Sequence, residues 1–331
     1  NIEDINLKTV DEDLLDASSV EDKIMNSQGK FTEEDSDSLA KIKDTDSDTS
    51  YKRRIEEAIE FLKRNESNYL SKDGLQIYSP KFLNILENIE NPDNQGLHLV
   101  YSRFKTLEGI TIFKLVLEAN GFAELKIKRQ DNKWILDVLE KDYGKPMFIL
   151  YTGDRSDDEK EILRNIYNSN WQNIDISLSS ELEKISENNH MGQIVKIFMI
   201  TAAGAEGISL KNTRFVHIME PYWHPVLIEQ VIGRAKRICS HQDLPKELRT
   251  VEVFLYLMTF TEDQKTSEDA VELRLKDRSK FDNITPITSD EALYEISTIK
   301  EQINKKILTL VKESSIDCSI YSSTNKKEQL K

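Results

Sequence analysis

Residues 230–237 read QVIGRAKR, and their types and spacing suit the binding of a phosphate group. If this octapeptide is helical, Gln230, Gly233, Arg234 and Arg237 share one face, because residues three, four and seven positions apart lie on the same side of a helix. Arginine stays charged and presents a rigid fork of donors to phosphate oxygens, and Gly233 leaves room for another surface. We expect the opposite face to pack on a core. Its apolar residues are Ile228, Val231, Ile232, Ala235 and Ile238. Alone, the octapeptide is equally typical of a surface helix with solvated arginines.

A loop with two glycines precedes the octapeptide. It reads TAAGAEGISL at residues 201–210 and directly follows the apolar run IVKIFMI. Gly204 and Gly207 predict a strand-to-helix loop with accessible backbone N–H groups, and Thr201 adds a hydroxyl at the end of the strand. A phosphate could approach such a loop closely. The alternative is a tight turn that needs glycine for its backbone alone.

Three further blocks place polar residues just after apolar runs. LHLVYSRF, residues 97–104, predicts a buried strand followed by Ser102 and Arg103. YTGDRSDDEKEILRNIYN follows at residues 151–168, and TRFVHIMEPYWHP, at 213–225, ends in an acid, an aromatic pair and a proline. For His224, which has no evident partner in the sequence, packing or hydrogen bonding is favoured over catalysis.

The elements that position these blocks alternate between strand and helix. Apolar runs predict strands near residues 97–101, 147–151, 194–200, 215–219 and 251–257. Helical patterns cover residues 51–64, 79–90, 106–120, 156–168 and 289–312. We predict a hairpin within residues 122–145, where a solvated surface is favoured over contact with nucleic acid, and a polar insertion at about 168–192. Strands that alternate with helices predict a parallel α/β sheet covered on both faces, with its site at the carboxyl ends of the strands.

Composition narrows the class of protein. The chain has 331 residues, a net charge of −14 and two cysteines, Cys239 and Cys318. Two distant cysteines indicate a reducing, intracellular compartment, and no apolar run is long enough to span a membrane, so we expect a soluble protein without a membrane partner. Cys239 and His241 lack a second pair of ligands, and we predict no metal site, with Cys239 packed at the helix end.

The negative charge is concentrated at the start of the chain. Residues 1–50 contain 15 acids and five lysines, a balance of −10, which leaves −4 for the other 281 residues. This segment is also poor in aromatic residues, and we predict a disordered acidic linker. An acidic peptide that docks on a basic partner is the alternative. Because the chain begins at Asn1, we expect a fragment of a longer or processed product.

Taken in order, the blocks resemble motifs of superfamily-two helicases and translocases. The match is similar to SNF-type helicases of nucleocytoplasmic large DNA viruses, which are related to the poxvirus nucleoside triphosphatase of transcription. The resemblance implies a RecA-like C-terminal lobe with a helical extension. It implies catalytic roles for Gln230, Arg234 and Arg237, the two arginines being fingers on the terminal phosphate of ATP. For the ATP cleft and its coupling, it implies Gly204, Glu206, Gly207 and Gly233. For nucleic-acid binding, it implies Ser102, Arg103 and Thr201.

What the chain lacks limits this expectation. We find no glycine-rich phosphate loop ending in Gly-Lys-Thr or Gly-Lys-Ser and no Asp-Glu pair for Mg²⁺. The resemblance therefore implies that an N-terminal RecA-like lobe of the same protein holds most of the ATP and Mg²⁺, and that this chain alone is inactive. Its other expected partners are nucleic acid, with DNA favoured over RNA, and a viral RNA polymerase. The expected location is the virion or the host-cell cytoplasm.

The expected organisation has four parts: an acidic linker at residues 1–50, lead-in helices at 51–91, the RecA-like domain at 92–262, and a helical extension with a polar tail at 263–331. Two other functions remain open. One is a non-catalytic RecA-like module that binds polymerase or nucleic acid. The other is a strand-separating RNA helicase in place of a duplex-DNA translocase.

Overall fold

The computed structural model describes residues 47–105, 109–131, 133–153, 155–201, 207–266 and 287–315. Its strands are β1 (Leu97–Tyr101), β2 (Ala123–Glu124), β3 (Ile127–Gln130), β4 (Lys133–Leu136), β5 (Met147–Tyr151), β6 (Val195–Ile200), β7 (Thr213–Ile218) and β8 (Glu252–Leu255). Six of these form one sheet in the order β2-β5-β6-β1-β7-β8, and every neighbouring pair is parallel. β3 and β4 form a separate antiparallel hairpin.

The helices are α1 (Ser47–Arg64), α2 (Glu66–Tyr69), α3 (Lys72–Tyr78), α4 (Pro80–Glu90), α5 (Ile110–Ala119), α6 (Asp157–Tyr167), α7 (Ile176–Ile185), α8 (Pro225–Ala235), α9 (Glu262–Thr266) and α10 (Ser289–Ser314). Short 3₁₀ turns lie at Glu140–Asp142, Trp171–Asn173 and Lys246–Leu248. Among the described residues no helix combines the length and the apolarity that crossing a membrane requires. The predicted parallel sheet with helices on both faces and a helical C-terminal segment is confirmed.

Successive residues of the central strands enter two different apolar clusters, one on each face of the sheet. In β1, Leu99 and Tyr101 belong to a cluster that also contains residues of α6, α7 and α8, whereas Val100 belongs to a cluster with α4 and α5. All five residues of β1 and all six of β7 are buried. Burial on both faces explains why these strands read as continuous apolar runs.

The helix before β1 is part of this core. Ile85, Leu86 and Ile89 of α4 are fully buried, and each such side chain stabilises the fold by roughly 2 kcal/mol. The described residues from Thr49 onward group into one compact unit. The domain boundaries at 91 and 262 stay predictions. The predicted disordered linker lies outside the described residues as far as residue 46, and most of the polar tail does so too.

Local signals fix several helix ends. Ser156 accepts a hydrogen bond from the Glu159 N–H at the start of α6, and Thr288 forms a capping box with Glu291 at the start of α10. Ser79 occupies the predicted N-cap position of α4, but its side chain makes no capping hydrogen bond. After α5 the backbone of Gly121 is left-handed, with φ +89°, as a C-terminal glycine permits.

Several elements went unpredicted, namely the short helices α2, α3 and α9, the strand β2 and the helix α7. The segment 122–145 does contain the expected hairpin, but β2 pairs with β5 and extends the main sheet. The expected polar insertion contains α7, whose Leu178 and Leu182 are buried. A two-residue strand and a helix with only two buried positions carry too little periodicity to be recognised in a sequence.

Candidate functional site

The candidate residues meet at the carboxyl edge of the sheet, where β6, β1 and β7 lie side by side. Ser102 and Arg103 follow β1, Thr201 follows β6 and Glu220 lies just beyond β7. From β1 the chain runs to the far edge of the sheet at β2 and returns through β5 and β6. It then crosses β1 and adds β7 and β8 on the other side. Crevices at such switch points are the usual ligand sites of parallel sheets.

The loop after β1 is fastened to the segment after β7 through Glu220. The Ser102 hydroxyl lies 2.8 Å from Glu220 Oε1, to which it donates, and the Arg103 N–H donates to Glu220 Oε2 at 3.2 Å. The same hydroxyl accepts a hydrogen bond from the Phe104 N–H at 3.1 Å. Ser102 is fully buried. The Ser102 side chain therefore contacts Glu220, and its contact with nucleic acid stays a prediction.

Burial governs the charge of Glu220. Removal from water raises the pKa of its carboxyl from 4.5 to about 7. The hydrogen bonds from Ser102 and Arg103 and the nearby Lys81 oppose that rise in pKa, while Asp290 adds to it. Lys81 and Asp290 themselves form an ion pair between α4 and α10. Glu220 is therefore poised to change charge near neutral pH.

Aromatic side chains hold two cations beside this cluster. The Arg103 guanidinium lies 4.4 Å from the centre of the Tyr222 ring, and Lys300 Nζ lies 3.8 Å from the centre of the Trp223 ring. Because Lys300 belongs to α10, the helical extension contacts the segment that leads into α8. His224 has its ring 5.5 Å from that of Trp223, and its role as a packing histidine stays a prediction.

The octapeptide is only partly helical, and this corrects the prediction. Helix α8 ends at Ala235, so Arg237 lies beyond the helix and does not share a helical face with Gln230 and Arg234. The predicted core position Ile238 is 97% exposed. Cys239 is also exposed, with a φ of +62°, so its predicted packing at the helix end is wrong.

Long-range hydrogen bonds explain the early end of α8. In a continuing helix the Arg234 carbonyl would accept from the N–H of residue 238, but it accepts from the Leu210 N–H at 3.2 Å. The Ser240 hydroxyl lies within 3.0 Å of the Ala235 carbonyl and occupies the next acceptor. The helical pattern of the sequence continues through Ile238, but these tertiary contacts override it.

Hydrogen bonds also join residues 234–240, the arginine segment, to residues 208–212, which directly follow Gly207. Arg237 donates from Nη2 to the Ile208 carbonyl at 2.9 Å, and Asn212 donates to the Ser240 carbonyl at 2.8 Å. With the contact between Leu210 and Arg234, three links connect residues 208–212 to residues 234–240. These links fasten both arginines to the segment that follows Gly207.

The remaining predicted residues lie around this junction. Thr201 is buried, and its hydroxyl has no hydrogen-bond partner among the described residues. Gly207 is exposed and left-handed, with φ +72°, as the predicted loop glycine requires. Gly204 and Glu206 lie outside the described residues. Gln230 is exposed on α8, and a methyl group added at Gly233 would meet no described atom within 4 Å. Space beside Gly233 agrees with the approach of a second surface.

A buried polar chain was missed by reasoning from the sequence. Asn88 donates to Tyr256 at 3.0 Å, Tyr256 OH lies 2.8 Å from His217 Nδ1, and His217 Nε2 lies 2.9 Å from His98 Nδ1. His98 Nε2 completes the chain at the Asn94 carbonyl, 3.2 Å away. A histidine inside each of two predicted buried strands was the available signal, because a buried imidazole needs partners.

Metal binding finds no support in the part of the chain that the structure describes. No group of three or more His, Cys, Asp or Glu side chains there is placed to hold a metal ion. His241, which the sequence places near Cys239, lies 2.8 Å from the Ser240 hydroxyl and 2.8 Å from the Thr213 carbonyl. Both ring nitrogens of His241 therefore have partners that fasten the arginine segment to β7.

Comparison with known proteins agrees with this architecture. The family model of the helicase conserved C-terminal domain matches residues 130–239. R563 of Acanthamoeba polyphaga mimivirus, which bears the name of an ATP-dependent RNA helicase, is 29% identical over 263 residues, 78% of this chain and 36% of that protein. A termination factor NPH-I homolog of African swine fever virus is 28% identical over 73% of this chain and 33% of its own length.

A solved structure, the C-terminal part of the Fun30 ATPase domain, is 15% identical with a TM-score of 0.32, over 65% of this chain and 50% of that one, a likeness too low to argue from. In its fold and its matched region, the chain is similar to the C-terminal, RecA-like lobe of superfamily-two helicases. It is related to helicases of nucleocytoplasmic large DNA viruses, among them the NPH-I termination factor homologs. The chain spans about a third of the length of these two relatives.

Proposed function

We propose that this chain acts as the second lobe of an ATP-dependent nucleic-acid translocase or helicase. Arg234 and Arg237 would supply donors to the terminal phosphate of ATP, and the carboxyl edge of the sheet would bind a nucleic-acid backbone. The observation that supports the proposal is the set of three hydrogen bonds between residues 208–212 and 234–240, because it fastens the two arginines to the segment that follows the loop after β6. Such a link is what coupling of hydrolysis to movement requires.

The arginine segment fits an anionic partner better than a metal. Arg237 is exposed and uses one guanidinium nitrogen for the Ile208 carbonyl, which leaves donors on the others. Space beside Gly233 lets another surface reach the helix. ATP, when bound, supplies the phosphoryl group that is transferred, and Mg²⁺ neutralises its oxygens. We propose that both are held mainly by an N-terminal lobe of the same protein, and that Gln230 helps to position the arginines or the attacking water.

Nucleic-acid binding would rely on backbone phosphates. Arg103 is half-buried on Tyr222 and lies at the edge of the sheet. The Thr201 hydroxyl at the neighbouring strand end is buried and has no hydrogen-bond partner among the described residues. Gly204, Glu206 and Gly207 belong to the loop that would join this grip to the arginines. Contacts to phosphates give binding that is independent of sequence and weakens as salt rises.

The decisive experiment measures ATP turnover of the longer protein that contains this lobe. We expect Arg237→Ala and Arg234→Ala each to reduce turnover roughly a thousandfold, as loss of arginine fingers does elsewhere. Lys236→Ala is the matched control, since it removes an equal charge from an exposed position between the two. Near-normal turnover in both arginine variants would show that the lobe is a non-catalytic module. The 331-residue chain alone should hydrolyse ATP no faster than its own Arg234→Ala variant.

The substrate is tested by binding and stimulation. The sequence block that contains Trp223 and Pro225 favours duplex DNA, whereas the mimivirus relative bears the name of an RNA helicase. Stimulation of ATP turnover by duplex DNA, single-stranded DNA and RNA at equal nucleotide concentration separates these substrates. We propose service in viral transcription or DNA handling, with a viral RNA polymerase as partner. Co-purification of the longer protein with that polymerase tests the partnership.

A further inference from the structure

We infer that Glu220 is a positioning residue of the nucleic-acid grip, which holds the loop after β1 so that Arg103 faces the backbone of the bound strand. This inference rests on the proposed function, because it assigns a role within the same nucleic-acid site. Glu220 itself is half-buried, and both oxygens of its carboxyl are engaged by the loop after β1, so it would not touch the strand. It would act through Ser102 and Arg103.

The loop after β1 is held at consecutive residues. Glu220 accepts from the Ser102 hydroxyl and from the Arg103 N–H, and Ser102 in turn accepts from the Phe104 N–H. Two residues beyond Glu220, Tyr222 supports the Arg103 guanidinium from below, 4.4 Å from its ring centre. Main chain and side chain of Arg103 are therefore both fixed by the same short segment after β7. Fixing a long side chain before binding lowers the entropy that binding must overcome.

The segment after β7 is itself anchored at its start. Met219 donates its backbone N–H to the Tyr101 carbonyl at 2.9 Å, which continues the pairing of β7 with β1. Ser102 likewise donates its N–H to the Ile200 carbonyl at 3.2 Å, which ties the loop to β6. Glu220 thus joins two strand ends that the sheet already holds in register, and a small side chain at position 220 would leave the Arg103 N–H without its acceptor.

The hydroxyl proton of Ser102 explains why a carboxylate or an amide suits position 220. Two acceptors lie within reach of this single proton, Glu220 Oε1 at 2.8 Å and the Phe104 carbonyl at 3.0 Å. With Glu220 ionised, the proton points to the carboxylate. With a neutral side chain that donates to the Ser102 oxygen, the proton turns to the Phe104 carbonyl. A glutamine can make both contacts, since its oxygen accepts from the Arg103 N–H while its nitrogen donates to Ser102.

The test is a double-mutant cycle on the 331-residue chain. Binding of a fluorescent 20-nucleotide oligomer is measured by anisotropy as a function of salt, with single-stranded DNA, RNA and duplex DNA as separate arms. We expect Glu220→Ala to weaken binding about tenfold, as Arg103→Ala does, and the double variant to be no weaker than either single variant. Glu220→Gln should stay within about twofold of the unmodified chain. Each alanine variant should lower the dependence on salt by about one phosphate contact.

Controls keep the result interpretable. Thermal unfolding shows whether each variant is folded, and Arg129→Ala removes an exposed charge from the β3–β4 hairpin, away from Glu220. If Glu220→Ala does not fold, Ser102→Ala takes its place in the cycle. We expect Ser102→Ala to weaken binding about threefold and to cause no further loss of affinity when it is combined with Arg103→Ala. Two outcomes would overturn the inference and leave the proposed nucleic-acid site in place. One is that the losses of affinity of the two single variants add in the double variant. The other is that an alanine variant binds as tightly as an unmodified chain that does bind. No binding of any oligomer by the unmodified chain would overturn the proposed nucleic-acid site, and the inference with it.

Discussion

Two buried polar networks join β1 to β7, and they differ in how completely their donors and acceptors are used. In the first, the histidine ring system, His98, His217 and Tyr256 connect Asn88 to the Asn94 carbonyl. In the second, the Glu220 cluster, a carboxylate at the strand ends holds Ser102 and the Arg103 N–H. The first lies inside the sheet and the second at its carboxyl edge.

The histidine ring system has one consistent set of proton positions. If His98 Nε2 donates to the Asn94 carbonyl, His98 Nδ1 must accept from His217 Nε2, and His217 Nδ1 must accept from the Tyr256 hydroxyl. Tyr256 then accepts from Asn88, and Asn94 donates back to the Asn88 carbonyl at 2.8 Å. Every member is satisfied with both imidazoles neutral, so no group is left over for a ligand.

The Glu220 cluster differs because the Glu220 carboxyl changes its charge near neutral pH and lies beside the half-buried, charged Arg103. Burial keeps the histidines neutral by lowering the pKa of His98 and lowering that of His217 to about 3, whereas it raises the pKa of Glu220 to about 7. Next to Glu220, Arg103 extends toward solvent. Polar groups next to the same two strands therefore differ in their expected roles, which are stability for the histidine ring system and the proposed binding site for the Glu220 cluster, and position relative to the carboxyl edge distinguishes them.

The largest expected effect is on stability, from breaking the histidine ring system. His217→Phe keeps a ring of similar size but leaves buried His98 Nδ1 without a donor and the buried Tyr256 O–H without an acceptor, although Tyr256 still accepts from Asn88. At about 1–3 kcal/mol for each such group, we expect the free energy of unfolding to fall by roughly 4 kcal/mol, measured by urea denaturation. His190→Ala, at a half-buried histidine outside the ring system, is the control. Nucleic-acid affinity of folded His217→Phe should be unchanged, and a loss there would erase the distinction between the two networks.

The two networks should also respond to pH with opposite signs. In the unfolded chain histidine takes up a proton near pH 6.5, but folded His217 resists protonation down to about pH 3. Its stabilisation is therefore complete above pH 6.5 and is lost as the pH falls, by roughly 1.4 kcal/mol per pH unit for each titrating histidine. Lys196 and Arg214 add to this for His98, whose pKa they lower further.

Glu220 contributes in the reverse direction. The folded protein keeps the Glu220 proton up to about pH 7, whereas the unfolded chain releases it near pH 4.5. This contribution to stability is complete below pH 4.5 and is lost as the pH rises to 7, in total on the order of 3 kcal/mol. Urea denaturation of Glu220→Gln from pH 4.5 to 7.5 should show a steeper gain in stability with pH than the unmodified chain. Parallel curves would mean that Glu220 keeps one charge state throughout this range.

The sequence predicted the sheet better than the site, for physical reasons. β1 and β5 were predicted at their observed limits because burial on both faces demands unbroken apolar runs. The end of α8 was misplaced because the acceptor that continues a helix after Arg234 is taken by Leu210, a residue 24 positions away. Ser102 was predicted at the correct strand end, but only the structure places Glu220 beside it. Contacts between distant segments leave no periodic signal in either segment.

A smaller effect is expected from the ring that supports Arg103. Tyr222→Leu removes the aromatic surface under the guanidinium but leaves the charge and the hydrogen bonds of Glu220 in place. An exposed contact of this kind is worth about 0.5–1 kcal/mol, so nucleic-acid affinity should fall about threefold. Tyr222→Phe retains the ring face and should bind normally. If Phe and Leu behave alike, Arg103 is held by Glu220 alone, and the Glu220 cluster is narrower than described.

The smallest expected effect tests whether α10 belongs to the binding site or only to the fold. Lys300→Ala removes the cation 3.8 Å from the Trp223 ring, and this contact links α10 to the segment that leads into α8. We expect a loss of about 0.5–1 kcal/mol in the free energy of unfolding, with unchanged binding of nucleic acid. Lys306→Ala, at an exposed position of the same helix, controls for the loss of one positive charge. A selective loss of binding in Lys300→Ala would instead extend the site from the Glu220 cluster to α10, since Trp223 would then need Lys300 to keep its place beside Tyr222.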